Sequence, residues 1–220
     1  MTLKFQAVLF DLDGTLLSTA GDVLAALKKT LNSDAIFERF TESEIHAICA
    51  YGSKKFYELA SDRGIELPNY TTFKQRLFQH YQQQTQPTAT LFSGIDQVIQ
   101  GLDKHQIPWG IVTNKQRDSA LVDVKRHSIL QNCQIIVGFD TAAYPKPAPE
   151  PILYACDKLN ITPEKTVFVG DTMVDMEAAY HAGSIRVGVT YGHGDFVKGI
   201  YAPQHVITSP EELLSLLDLH

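Results

Sequence analysis

The sequence predicts an α/β fold, a parallel sheet covered by helices on both faces, with a separate helical segment inserted near its start. Apolar runs of strand length recur at residues 7–10, 109–113, 135–138, 166–170 and 186–189. After the first, these runs alternate with helix-like segments, the pattern of parallel strands joined by crossover helices. About seventy residues separate the first run from the next helix of the pattern, far more than a direct strand-to-helix connection needs. With 220 residues, 44% of them hydrophobic, the chain can bury a sizeable core and form one large domain or a core plus a small one.

Ala7-Val8-Leu9-Phe10 reads as the first strand, because four apolar residues end abruptly at Asp11, and Gly14 can turn the chain back without a side-chain penalty. The insertion reads as three helices, over 20–32, 43–61 and about 70–85. Thr41 and Glu44 stand at the spacing of a reciprocal cap for the second. Crossover helices are expected over 94–104, 116–127, 149–159 and 173–182, and a last helix over 211–218. Ser209-Pro210-Glu211-Glu212 starts that last helix with a capping serine, a proline at the first helical position and an acid at the third. No internal repeat or low-complexity run is evident.

A net charge of -6 and the lack of any basic block argue against a sequence-independent nucleic-acid binder. Lys4 is followed by an apolar run that Asp11 interrupts, too short for a signal sequence or a membrane span. A cytoplasmic chain with no membrane and no nucleic-acid partner is therefore expected. Cys49, Cys133 and Cys156 are scattered outside any metal-binding spacing and read as reduced packing thiols. No Walker-type phosphate loop occurs, and Gly188 to Gly194 lacks the spacing of a dinucleotide loop, so no nucleotide cofactor is implied. His181, near a helix end, and His193, in a glycine-rich loop, read as structural or solvent-facing.

The chemistry-bearing residues follow the apolar runs. Alternate residues of an extended segment point the same way, so Asp11 and Asp13 can face one reacting group while Leu12 turns inward. Two carboxylates at the open end of a buried strand suit a magnesium-dependent phosphoryl-transfer centre, although an ordinary turn uses the same residue types. Trp109 to Asn114 ends a second strand in a hydroxyl and an amide able to donate to phosphate oxygens, or able to cap a helix. Prolines on both sides of Lys146, in Tyr144 to Pro149, stiffen the backbone and limit where its ammonium reaches; a lysine in such a loop is usually a solvated charge, and a phosphate is a fitting partner for one held in a set position. Thr166 to Gly170 is a strand ending in Asp171, and a helix beginning near Thr172 would carry Asp175 in its first turn. A helix start rich in acids accounts for Asp175 alone. Asp171 sits at the carboxyl end of a strand, where open parallel sheets place their ligand sites.

In this order the four segments resemble the signature of the haloacid dehalogenase (HAD) superfamily, from about residue 5 to 195. Asp11-x-Asp13-Gly14-Thr15 matches its first motif, Thr113 the second, Lys146 the third and Gly170-Asp171-x-x-x-Asp175 the fourth. Ile111-Val112-Thr113-Asn114-Lys115, Lys146-Pro147-Ala148-Pro149-Glu150 and Gly188-Val189-Thr190-Tyr191-Gly192 are most similar to phosphoglycolate phosphatase-like members. The resemblance implies a Rossmann-like core over 1–16 and 90–220, and a small helical cap over 17–89 joined by linkers near 16–19 and 86–91. It implies a phosphatase for a small phosphate monoester, phosphoglycolate-like, using Mg2+ and acting on a small phosphorylated metabolite as a monomer or weak homodimer.

By the same resemblance, Asp11 is the nucleophile and Asp13 the general acid and base, Thr113 and the amides around Asn114 bind phosphate oxygens, and Lys146 balances charge. Asp11, Asp171 and the main-chain carbonyl of Asp13 form the metal site, with Asp175 orienting metal-bound water or Lys146. Gly52-Ser53-Lys54-Lys55 offers a loop in which Lys54 could bind a second anionic group of the substrate, or else a solvated helix end. Ser18 and Thr19 stand where the family commonly has an acid, which departs from the phosphoglycolate pattern. Among the rivals, a haloalkanoate dehalogenase needs neither Asp13 nor Asp171, a phosphomutase would keep all four motifs, and a silent binding module would not require them.

Overall fold

The computed structural model of the chain describes residues 4–33, 35–84, 88–194 and 196–219, and leaves out the side chains of Glu42, His46, Cys49 and Ala50. Part of the expected 86–91 linker and the expected Cys49 thiol therefore lie outside the described residues. The chain divides into two compact units, Met1–Leu17 with Leu91–His220, and Ser18–Thr90. Two short strands, β2 (Leu17–Ser18) and β3 (Thr90–Leu91), pair as a two-stranded ribbon where the chain passes from one unit to the other.

In the first unit, β1 (Ala7–Phe10), β4 (Trp109–Val112), β5 (Ile135–Val137), β6 (Thr166–Gly170), β7 (Ile185–Val189) and β8 (His205–Ile207) form one sheet in the order β5-β4-β1-β6-β7-β8. Every pairing in it is parallel. A parallel sheet buries both faces, which is why β1, β4 and β6 read as unbroken apolar runs. Successive side chains point to opposite faces, so each strand feeds two cores. Val8 and Phe10 of β1, Trp109 and Ile111 of β4, and Val167 and Val169 of β6 pack on one side. There they meet apolar stripes of α4 (Ile95–Lys104), α5 (Arg117–Arg126) and α8 (Glu211–Leu217). Leu9, Val112 and Phe168 face the other side, against α6 (Glu150–Leu159) and α7 (Met173–Ala182). The stripe on α4, formed by Ile95, Val98, Ile99 and Leu102, has the spacing of one helical face.

The chain order sets where a ligand can bind. From β1 the chain runs first to β4 and β5 on one side, then returns to β6 on the other, so the direction of winding reverses around β1. Crevices at the carboxyl ends of strands at such a reversal are where open α/β sheets hold ligands.

The second unit contains α1 (Ala20–Leu31), a short 3-10 turn at Ala35–Arg39, α2 (Glu42–Asp62) and α3 (Tyr70–Gln82). Its core is Leu27, Phe40, Ile48, Phe56, Ala60 and Phe73, with Phe56 stacked on Phe73 at a centroid separation of 5.7 Å. The reciprocal cap forms as expected: the Thr41 hydroxyl accepts the Glu44 amide, and the Glu44 carboxylate accepts the Thr41 amide. Arg63 donates to the same carboxylate. Asp22, on the first turn of α1, is buried and accepts the Thr88 amide and hydroxyl and the Ala89 amide, which satisfies its charge without an ion pair.

Three local features differ from the sequence reading. The 43–61 helix is broken at Gly52, whose φ of 70° and ψ of -156° suit only glycine, so the helical pattern there concealed a kink. β8 was not expected, because three residues with Val206 exposed leave no apolar run to detect. The last helix begins at Glu211 without a side-chain cap, and the Thr208 amide and hydroxyl bind Glu212 instead of Ser209 capping the turn. Cys133 and Cys156 are free thiols, and burial pushes the Cys133 thiol up to about 12, as suits packing cysteines. No helix among the described residues is long and apolar enough to cross a membrane.

Phe56 is fully buried and touches three other phenylalanine rings, Phe37, Phe40 and Phe73. Phe56→Ala is expected to lower the unfolding free energy of the Ser18–Thr90 unit by about 3–5 kcal/mol, read by urea denaturation. A loss under about 1 kcal/mol would place the core of that unit elsewhere.

Candidate active site

Three of the expected residues stand one position past three adjacent strands: Asp11 after β1, Thr113 after β4 and Asp171 after β6. The ladder carries the register beyond the strands, since the Asp11 amide donates to the Val169 carbonyl and the Thr113 amide to the Val137 carbonyl, both at 2.9 Å. Leu12 is buried in the core, as alternation requires. Gly14 then takes a φ of 87°, and the Leu16 and Leu17 amides close a tight turn on the Leu12 carbonyl. A Cβ at Gly14 would fall on the Asp171 carboxylate, so glycine is required here for both conformation and space.

Lys146 enters from the loop between β5 and α6 and is 4% exposed. Its ammonium donates to Asp11 Oδ1 at 2.8 Å, Asp175 Oδ1 at 2.6 Å and the Val112 carbonyl at 2.8 Å. Those acceptors use all three of its hydrogens. Burial opposes its charge, but the two carboxylates outweigh that and hold its pKa above the ordinary lysine value. The Asn114 side-chain amide donates to the Lys146 carbonyl at 2.9 Å and fixes the loop from behind. The side chain of Asn114 thus secures the lysine, and the Thr113 hydroxyl and backbone amides are donors that this segment can offer a ligand.

Asp175 serves two elements at once. Its Oδ2 accepts the Thr172 amide and hydroxyl, capping α7, while Oδ1 binds Lys146. Asp171, also fully buried, accepts the His193 amide at Oδ2, and among the described residues its Oδ1 has no partner. Burial and the neighbouring Asp175 and Asp11 raise its pKa well above the ordinary value. Burial likewise raises Asp11 to about 7; Lys146 opposes this, and Asp175 and Asp13 add to it. Glycine again permits the packing, because a Cβ at Gly192 would strike Asp171 and the Gly14 carbonyl.

One oxygen each from Asp11, Asp171 and Asp175 lies within 4.8 Å of the others. A buried carboxylate oxygen without a donor is costly unless something cationic faces it. With all ionised, Asp11, Asp13, Asp171 and Asp175 meet two ammonium groups, those of Lys146 and Lys115, an excess of two negative charges. A hard divalent cation with oxygen ligands fits both the charge and the donor set.

Asp13 is partly exposed and pairs with a different lysine, Lys115 Nζ, at 2.7 Å. The same nitrogen binds Asp123 Oδ2 at 2.7 Å, and Arg126 binds Asp123 Oδ1 at 3.2 Å. The Thr113 hydroxyl accepts the Lys115 amide at 3.1 Å, a local turn rather than a helix cap. Lys54 belongs to the Ser18–Thr90 unit, exposed on α2 two residues past the Gly52 break.

Sequence reasoning missed Lys115, Asp123 and the His193 amide. Lys115 stood inside a quoted motif, but a solvated lysine reads the same. Asp123 sits in an ordinary helix pattern, and a backbone amide carries no side-chain signal. The His193 amide holds its loop against Asp171, a contact made by backbone.

A family model described as haloacid dehalogenase-like hydrolase matches residues 8–189. Over 218 residues, 98% of this chain and 96% of the relative, the sequence is 28% identical to an N-acetylmuramic acid 6-phosphate phosphatase of Pseudomonas aeruginosa. Over 188 residues, 86% of this chain and 84% of the relative, it is 31% identical to a phosphoglycolate phosphatase of Xanthomonas campestris. The fold matches the crystal structure of a predicted phosphoglycolate phosphatase from Haemophilus somnus with a TM-score of 0.84 and 22% identity, covering 98% of this chain and 99% of the other.

Asp11 holds its proton more tightly in the folded chain, at about 7, than an ordinary carboxylate near 3.8. The native state thus binds more protons than the unfolded one, and the cation-free protein loses stability as pH rises from about 4 to about 7. A divalent cation favours the ionised carboxylates and reverses that loss. The rise in Tm on adding Mg2+ is expected to be large near pH 8 and to shrink as pH falls through about 7. Equal rises at about pH 5.5 and about pH 8, by differential scanning fluorimetry, would count against a carboxylate cation site.

Proposed function

The chain belongs to the haloacid dehalogenase-like hydrolase family, and on that premise we propose that it hydrolyses a small phosphate monoester in two steps through an aspartyl-phosphate on Asp11. It is a phosphoric monoester hydrolase, the activity named for both of the relatives described above. One observation supports the finer reading above the others: the buried bonding of Lys146 to both Asp11 and Asp175, beside an Asp171 oxygen that has no donor. An ordinary turn or helix start would not bury so many charges in one place.

Asp11, Asp171 and the main-chain carbonyl of Asp13 would hold the cation, for which Mg2+ is the fitting choice. When bound, it supplies positive charge that offsets the repulsion between an anionic nucleophile and an anionic ester. With Oδ1 held by Lys146, Asp11 presents Oδ2 to phosphorus. A bond forms from that oxygen to phosphorus as the ester P–O bond breaks, and the leaving oxygen takes a proton from Asp13. In the second step Asp13 takes a proton from water while the water oxygen bonds to phosphorus. The bond from phosphorus to Asp11 then breaks, inorganic phosphate departs and both aspartates return to their starting state. Thr113 and the backbone amides beside it bind the nonbridging oxygens, a kind of contact whose removal often costs about 2–3 kcal/mol in the barrier.

Phosphoglycolate and N-acetylmuramic acid 6-phosphate both carry a carboxylate as well as the phosphate. A substrate of that class suits the exposed ammonium of Lys54 as the partner for its second anion. The cap role of the Ser18–Thr90 unit belongs to the same reading, with substrate choice made there and chemistry at the sheet.

Asp11→Asn is expected to fold, to lose turnover by at least about a thousandfold, and to form no phosphoenzyme by intact-mass measurement after a quench. Near-normal turnover would remove Asp11 as nucleophile. Assayed against phosphoglycolate, hexose phosphates, pyrophosphate and nucleoside monophosphates with and without Mg2+, the protein is expected to prefer a small phosphorylated acid; return of the phosphoryl group to a sugar would indicate a mutase. For the preferred acid, Lys54→Ala is expected to raise KM about tenfold at similar kcat, and an unchanged KM would exclude Lys54 from binding.

A further inference from the structure

Lys115 has a place in the core that the reaction as written above does not use. Its Nζ lies 2.7 Å from Asp13 Oδ1 and 2.7 Å from Asp123 Oδ2. Asp123 is on α5 and fully buried, and Arg126, three residues along the same helix, donates to its other oxygen at 3.2 Å. A buried carboxylate is tolerated only when paired and hydrogen-bonded, and Asp123 achieves this through one lysine and one arginine.

The lysine is fixed from its backbone outward. Its amide donates to the Thr113 hydroxyl at 3.1 Å, and its carbonyl accepts the Phe139 amide at 3.1 Å. The side chain is only 12% exposed, and the bond to Asp123 holds the end of its four-carbon stem. The end of the stem then meets Asp13, which sits on the short turn after β1 and is otherwise the most exposed of the four carboxylates at the site.

We propose that Lys115, anchored by Asp123 on α5, is a positioning residue that fixes the Asp13 carboxylate for proton transfer. The inference rests on the reading of Asp13 as general acid and base. Proton transfer demands a donor and acceptor within hydrogen-bond reach in a set direction, and a carboxylate free to rotate loses that. Thr113 acquires a second task, since the hydroxyl proposed to bind phosphate also orders the residue that steadies the acid.

The two chemical steps need Asp13 unequally, and that separates a positioning role from a merely structural one. An aryl phosphate with a weakly basic leaving oxygen needs no proton donor for attack by Asp11. Hydrolysis of the aspartyl-phosphate still needs a base to take the proton from water. Loss of Asp13 positioning should therefore leave the first step intact and slow the second, so that phosphoenzyme accumulates.

The experiment is stopped-flow hydrolysis of p-nitrophenyl phosphate with Mg2+ by the wild type, Lys115→Met, Lys115→Arg and Asp13→Asn. Lys115→Met is expected to release about one equivalent of nitrophenolate in a burst, followed by turnover slowed about ten- to a hundredfold. Lys115→Arg, which restores a cation, should recover most of the rate, and Asp13→Asn should show the same burst with a still slower second phase. Wild-type turnover in Lys115→Met, beside a burst in Asp13→Asn, overturns the role of Lys115 and leaves that of Asp13 standing. Loss of burst and turnover together, or a higher KM with unchanged kcat, also overturns it, since Lys115 would then serve the first step or bind phosphate. A missing burst in Asp13→Asn removes the acid and base reading itself, and the inference with it. If Lys115→Met fails to fold because Asp123 loses a partner, the Lys115→Met/Asp123→Asn double variant carries the same test under the same outcomes.

Discussion

The arrangement at the head of the sheet depends on one buried ammonium group. Lys146 binds a carboxylate at the end of β1, a carbonyl at the end of β4 and a carboxylate in the first turn of α7. Those groups come from segments far apart in sequence, so the lysine joins them only after the sheet has formed. A charge so deeply buried is favourable only if every hydrogen is satisfied and the neighbouring charges are opposite, and both conditions hold. Removing either aspartate would leave the ammonium short of a partner, which ties the local fold to the chemistry it supports.

What Lys146 leaves unbalanced defines the ligand. Two lysines among four carboxylates leave two negative charges, and a buried Asp171 oxygen without a donor among the described residues marks where a compensating charge fits. Gly14 and Gly192 leave room for the Asp171 carboxylate, which a Cβ at either position would strike. Burial that raises Asp11 to about 7 has the same origin as the capacity to bind a cation, because the site is dry and crowded with like charge. Cation and proton therefore compete for the same oxygens.

The sheet was legible because both of its faces are buried, so β1, β4 and β6 carry their identity as unbroken apolar runs. The site was legible for the same reason: polar residues that abruptly end such runs, as Asp11, Thr113 and Asp171 do, have few other reasons to be there. Lys146 was marked by the prolines around it. The residues that escaped notice act through features that leave no local trace. Gly52 breaks a helix whose periodicity continues on both sides, β8 is too short to show a pattern, and the His193 amide binds Asp171 through backbone that any residue supplies. Lys115 and Asp123 are eight positions apart in sequence and meet each other and Asp13 through the packing of α5 against the sheet.

The two lysines show one physical device used twice. Each stands between a fully or nearly fully buried aspartate on a helix, Asp175 on α7 or Asp123 on α5, and an aspartate on the segment just after β1. The buried aspartate needs a cation close by, which holds the lysine, and the lysine in turn holds the aspartate after β1. Two acids only two residues apart would otherwise compete for the same counterion and repel each other. Giving each its own lysine, anchored on a different helix and on opposite faces of the sheet, lets neighbouring carboxylates keep separate orientations. That separation is what the proposed nucleophile and proton carrier, on one short loop, require.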